Sequence, residues 1–128
     1  MTKAVDSGKK RQVAKSAKQS KPHRAAVRLW AKAAFLGFRR TRNTQDTNQA
    51  LLKIEGVNDH VAAQYYLGKR VVQISRASNA TKGKFRTSWG RISRAHGRNG
   101  VATALFARNL NPAAIGSTLR VFLFPQRA

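Results

Sequence analysis

From Val27 onward, apolar residues fall on alternate positions in short runs, and this two-residue period constrains the fold more than any other feature of the chain. Val27, Leu29, Ala31, Ala33 and Phe35 share one parity, while Arg28, Trp30 and Lys32 share the other. Side chains alternate across a strand, so the pattern predicts a strand with an apolar inner face and a basic outer one. Trp30, on the basic side, reads as a rim residue closing the core; a cation–π and stacking platform is the alternative. Further strands are predicted over 51–57, 70–77, 85–95, 101–107 and 118–124. Six short strands suggest a fold that is mainly β, a small antiparallel barrel.

Local signals agree with that architecture. Asn58 is placed to cap a short helical turn in which Val61 and Tyr65 share a face, and Gly68 is placed to close it in a left-handed conformation. In the strand that starts at Phe85, the apolar positions run Phe85, Trp89, Ile92, so the parity slips near Gly90 and Arg91. A bulge or corner there lets a small sheet curl towards closure. Asn99-Gly100 between two strand-like runs is a strong hairpin signal.

The segment before the first strand is of another kind. Residues 1–26 contain eight cations and, among large aliphatics, only Val5 and Val13; every aromatic residue lies beyond them. Such a segment buries too little apolar area to offset its ordering entropy, so it is expected to be a disordered basic arm. Residues 27–128 are then the folded domain. Lys9-Lys10-Arg11 also resembles a nuclear localisation cluster, and the acid-poor, serine-containing arm is loosely compatible with an organellar transit peptide.

Charge decides the class of partner. The 128 residues hold 26 lysines and arginines against four carboxylates, a formal net charge of +22. A solvated surface mixing both signs is the plainer reading of basic residues, but Asp6, Asp46, Glu55 and Asp59 are too few to provide it. Removing the arm leaves eighteen cations and three acids, a surplus of fifteen on the folded part. A compact fold so charged repels itself unless a polyanion lies against it, and nucleic acid carries phosphates at high linear density. No apolar run approaches the roughly 20 residues of a membrane span, so the chain is expected to be soluble, with no membrane partner. The absence of cysteine excludes disulfides and thiolate metal sites.

Several loops present cations together. Arg91, Arg94, His96 and Arg98 gather at the Asn99-Gly100 hairpin, Arg39, Arg40 and Arg42 follow the first strand, and Lys82, Lys84 and Arg86 surround Gly83. Glycines let phosphate approach backbone N–H groups, and the arginine fork matches phosphate oxygens in two-point contacts. With Lys32 from the basic face of the first strand, Arg39, Arg40, Arg42, Lys82, Lys84, Arg91, Arg94, His96 and Arg98 are candidate nucleic-acid contacts. A solvated turn is the plainer reading of any one loop.

Catalysis needs a different inventory. His23, His60, His96 and the four scattered acids offer neither paired carboxylates nor metal-ligand spacing, and no nucleophile-elbow or phosphate-loop motif occurs. No enzyme activity, small-molecule substrate, cofactor or metal is expected.

The motifs then become recognisable as blocks. From Arg28 to the C-terminus the chain resembles the large-subunit ribosomal protein family thirty-five A-e of eukaryotes and archaea, number thirty-three in the unified naming. The resemblance rests on Arg28-Leu29-Trp30, the run from Leu51 to Val57, Tyr66-Leu67-Gly68-Lys69-Arg70, the run from Trp89 to Gly97 with Gly100 and Phe106, Ala114-Ile115-Gly116 and Leu119-Arg120-Val121. It implies a barrel like those of translation factors, bound to large-subunit ribosomal RNA beside neighbouring ribosomal proteins. It also implies location in cytoplasmic ribosomes, with nucleolar assembly if the source is eukaryotic. By similarity, Arg28, Lys53, Lys69, Arg70, Arg91, Arg94, His96 and Arg120 are carried over as RNA contacts.

Departures from the family pattern include the arm itself, Asn111 between Leu110 and Pro112, and Ala102 in place of a larger aliphatic. The rival reading is an architectural DNA-binding or chromatin-like protein, whose charge is the same. It lacks support from any recognition-helix pattern. A basic domain that docks an acidic protein is the third possibility.

Overall fold

The computed structural model describes residues 29–78, 81 and 83–124. The expected arm, with Arg28 and Lys82, lies outside the described residues. The elements run β1 (Trp30–Arg40), β2 (Gln45–Ile54), α1 (His60–Gln64), β3 (Arg70–Arg76), β4 (Phe85–His96), β5 (Val101–Phe106), a 3-10 turn (Pro112–Ala114) and β6 (Thr118–Phe122). The six strands form a closed barrel in the order β1-β2-β5-β4-β3-β6. All neighbouring pairs are antiparallel. Closure gives every strand a neighbour on both sides, although β3 meets β6 only at Val71 and Val72.

The predicted alternation holds in β1, where Ala33 and Phe35 are buried and Lys32 is exposed. The strand nevertheless runs on to Arg40, past a register shift between Phe35 and Gly37. Gly37 has φ 145°, a backbone conformation few other residues adopt. One extra residue in the strand reverses its parity, so Phe38 faces inward as Phe35 does. The two buried rings meet edge to face, with centroids 5.3 Å apart.

β2 begins earlier and ends earlier than its apolar run suggested. Asp46, Thr47 and Asn48 are exposed on both faces of the sheet, so the hydrophobic alternation that marks Ala50, Leu52 and Ile54 as inward does not reach them. The hairpin with β1 pairs Arg40 with Gln45 and Arg39 with Asp46, and the register then shifts so that Phe38 pairs with Ala50.

In β4 two of the three residues expected to face inward face out. Phe85 and Trp89 are exposed and Ile92 is buried, so the three do not line one interior row. The register shift falls between Ile92 and Arg94, two residues beyond the expected position at Gly90 and Arg91. After it, Ala95 packs against the core. The short helix also differs: Asp59, not Asn58, occupies its N-cap, Val61 is 75% exposed, Tyr65 is exposed as well, and the buried side chain is Ala63. Gly68 adopts the expected left-handed conformation at φ 78°.

The core combines Phe35, Leu52, Ile54, Val71, Ile92, Leu119 and Val121 with small residues at Ala33, Ala50, Ala102 and Ala104. A narrow barrel is filled by its own side chains, and mixing small with large lets opposite walls approach. Ala102, smaller than the residue expected there, is fully buried. Asn111 caps the 3-10 turn, its side-chain oxygen accepting from the Ala113 N–H at 3.0 Å.

Candidate nucleic-acid interface

Strand direction sorts the cations. β1 ends and β2 begins at one end of the barrel, where the β3–β4 connection also lies; the β4–β5 hairpin and the β2–β3 connection lie at the other. The first end carries Arg39, Arg40, Arg42, Lys84 and Arg86, and Arg76 joins them beside Lys84 and the exposed ring of Phe85. The 41–44 turn is pinned by its own side chains. The Thr41 N–H donates to the Thr44 carbonyl at 2.8 Å, and the two threonine hydroxyls lie 2.6 Å apart. Arg40 donates to the carbonyls of Thr41 and Arg42.

At the other end, His96 pairs with Val101 across a four-residue loop that holds Arg98. Gly97 and Gly100 have φ 67° and 80°, whereas Asn99 stays at negative φ. The hairpin expected from Asn99-Gly100 is therefore present, but with a longer loop than a two-residue turn. Gly100 sits against the β2–β3 connection so closely that a Cβ there would lie 2.6 Å from the Val57 carbonyl oxygen. Lys53 locks the same contact, its ammonium donating to the carbonyls of Val57 at 2.7 Å and Asn99 at 2.5 Å.

Lys53 is thus engaged in positioning the hairpin. Lys69 does not reach the surface at all: it is 2% exposed, its ammonium lies 4.9 Å from the Tyr65 ring centroid, and it has no hydrogen-bond partner among the described residues. Every arginine among the described residues, in contrast, is exposed. Arginine remains charged at any physiological pH and presents five donors, so these side chains form a persistent cationic surface.

Two arginines from distant parts of the sequence share one acceptor. The Gln49 Oε1 receives Arg39 Nη1 at 3.3 Å and Arg94 Nη2 at 3.5 Å, across the outside of β1, β2, β5 and β4. No motif or periodicity singles out Gln49 in the sequence. On the opposite wall, Trp89, Val72, Arg120 and Lys32 occupy one continuous rung of β4, β3, β6 and β1. Arg120 lies over the Trp30 ring, 4.6 Å from its centroid. Trp30 is half-buried, as the rim reading expects, and its cation–π partner comes from its own chain. Arg70 and Arg91 face each other at the near end of the same wall.

A closed antiparallel barrel with arginines at both ends and on its walls defines a class, the small basic β-barrel proteins. Within that class the sequence model of the family described as "Ribosomal protein L35Ae" matches residues 29–122. The chain is 55% identical over 112 residues to "Large ribosomal subunit protein eL33" of Tetrahymena thermophila, spanning 88% of this chain and 99% of the relative. It is 43% identical over 100 residues to the protein of that name in Dictyostelium discoideum, spanning 77% of this chain and 95% of the relative. With "Large ribosomal subunit protein eL33A" of Schizosaccharomyces pombe, 41% of 99 residues are identical, spanning 77% of this chain and 92% of the relative. The chain belongs to the ribosomal protein L35Ae family. The Tetrahymena alignment is long enough to reach into the segment before Leu29.

Proposed function

We propose that this protein is a structural constituent of the large ribosomal subunit and holds ribosomal RNA through its cationic loops and its N-terminal extension. The observation that carries the reading is the uniform exposure of the described arginines on a chain with net charge +22. Membership of the L35Ae family, and the names of its eL33 relatives, support the large subunit as the place where that charge is used. The mechanism is electrostatic and geometric. A stiff barrel sets arginines at fixed separations against several RNA segments, and release of condensed counter-ions supplies much of the affinity. Turnover has no part in it.

Of the residues expected to meet RNA, Arg39, Arg40, Arg42 and Lys84 serve one end and Arg94, His96 and Arg98 the other, with Lys32, Arg70, Arg91 and Arg120 on the wall between. Lys53 supports the hairpin from behind. Location in cytoplasmic ribosomes, with assembly in the nucleolus where there is one, follows from this reading.

Sedimentation of cell extract through a high-salt sucrose gradient tests it. The protein is expected to remain with large subunits. Retention on chromatin with absence from large subunits overturns the proposal in favour of an architectural DNA-binding role. With purified RNA, contact with about ten phosphates gives a log–log salt slope of roughly −7 to −9.

A further inference from the structure

The outer face of β3 and β4 brings an exposed tryptophan and two facing arginines together. Arg70 and Arg91 are direct partners in the ladder, and both are exposed. Like charges directly opposite each other destabilise a sheet. The described acids, Asp46, Glu55 and Asp59, lie on β2 and in the connection after it, and among the described residues none pairs with either guanidinium.

Two positions from Arg91 on the same face stands Trp89, which is 46% exposed. Its indole is oriented rather than free, because it stacks on Phe122 with centroids 5.6 Å apart and planes inclined by 26°. Val72, its partner across the ladder, is buried although it points away from the interior cluster. Arg70, Trp89 and Arg91 line one shallow concavity with Leu105 and Ala107. Residues two apart on a strand face are separated by roughly 6.8 Å, a spacing that one nucleotide bridges between its base and its phosphate.

A held, half-open aromatic ring beside two unneutralised guanidiniums supplies what an unstacked nucleotide requires: a π surface for the base and forked donors for phosphate oxygens. We propose that Trp89, Arg70 and Arg91 seat one unpaired RNA nucleotide, its base on the open indole and its phosphate between the two arginines. This rests on the reading of the chain as an RNA-binding ribosomal protein, and adds which surface takes a single-stranded element. Charge favours RNA over a protein neighbour as the occupant, since the concavity is cationic and the phosphate removes the repulsion between Arg70 and Arg91.

The test uses the full chain with Trp30→Phe, which leaves Trp89 as the one emitting indole of the two tryptophans. The probes are a short unstructured oligouridine and an RNA duplex. Oligouridine is expected to quench Trp89 emission saturably. Trp89→Leu, which keeps an apolar cover over Val72, is expected to weaken oligouridine binding about tenfold while duplex binding stays unchanged. Arg70→Gln is expected to reduce the oligouridine salt slope by about one. If Trp89 is not quenched and Trp89→Leu binds oligouridine as its parent does, while the duplex still binds with steep salt dependence, the nucleotide seat is wrong and the wider RNA reading stands. If neither RNA binds, both fall. In isolated large subunits, shielding of Trp89 that survives ribonuclease digestion assigns the face to a protein and overturns the seat.

Discussion

Trp89 stacks on Phe122 across the outside of the barrel, ring on ring at 5.6 Å. The contact is worth about 0.5–1.5 kcal/mol beyond the area it covers, and Trp89 keeps almost half its surface in solvent. Trp89→Ala is therefore expected to cost about 1–2 kcal/mol, against about 3–5 kcal/mol for Phe35→Ala in the core. Urea unfolding of the two variants compares them directly. Equal losses would place Trp89 in the core after all.

Lys53 holds the carbonyls of Val57 and Asn99 together from a half-buried position. Lys53→Met keeps the aliphatic stem and removes both bonds. Hydrogen bonds to charged groups contribute about 1.5–3 kcal/mol, and partial solvation brings the expected loss to the lower end of that range. Hydrogen exchange at residues 97–100 checks the location of the effect: it should accelerate there before the strands are touched.

Gly100→Ala meets two obstacles at once, a φ of 80° and a carbonyl oxygen 2.6 Å from the new Cβ. The left-handed conformation alone costs an L-residue roughly 1–2 kcal/mol. The combined loss is expected to exceed 2 kcal/mol, on the order of the larger point-mutant effects. A thermal midpoint close to that of the parent would contradict the close approach.

Lys69 is buried with no hydrogen-bond partner among the described residues, and its ammonium has the Tyr65 ring as its contact. Burying a charge without partners is costly, and an apolar group of similar shape avoids that cost. Lys69→Met is expected to leave unfolding midpoints unchanged or raise them. A clear loss of stability would mean that the cation–π contact outweighs desolvation.

Arg94 and Arg98 are exposed, and among the described residues their side chains make only the long hydrogen bond from Arg94 to Gln49. Arg94→Glu with Arg98→Glu is expected to change stability by less than about 0.5 kcal/mol per site and to block incorporation into large subunits. Sedimentation of tagged parent and variant from the same cells measures this. Normal incorporation would reduce the hairpin cluster to a solvated turn.

How far the barrel was legible depended on whether a strand has one wet face and one dry face. β1 does, and alternation marked Ala33 and Phe35 as inward; 118–124 reads as a strand, and the structure buries Leu119 and Val121 in it. The first half of β2 is exposed throughout, so its polar residues carried no period and their pairing with Arg39 and Arg40 went unseen. β4 misled in the other direction. Counting Trp89 and Phe85 as interior is natural for large apolar residues, but the interior is lined at four positions by alanine and the two rings lie outside.

The candidate interface divides in the same way. Cations clustered in the loops were readable from the sequence, because loops lie at the surface and the arginines there are exposed. Which of the lysines remain available was not: Lys53 is engaged by two carbonyls, one of them 46 residues away, and Lys69 is enclosed with its ammonium over the Tyr65 ring. Gln49 as a shared acceptor of Arg39 and Arg94 depends equally on distant chain.

By itself the sequence determined that this protein is cationic and built of strands, since charge balance and two-residue periodicity are both local properties of the chain. Only the tertiary structure decided which face of β4 looks outward, which lysines are hidden, and that Arg70 confronts Arg91 beside an open indole. Those outcomes follow from strand register and closure, and register is set by contacts between residues far apart in the chain, which no local pattern encodes.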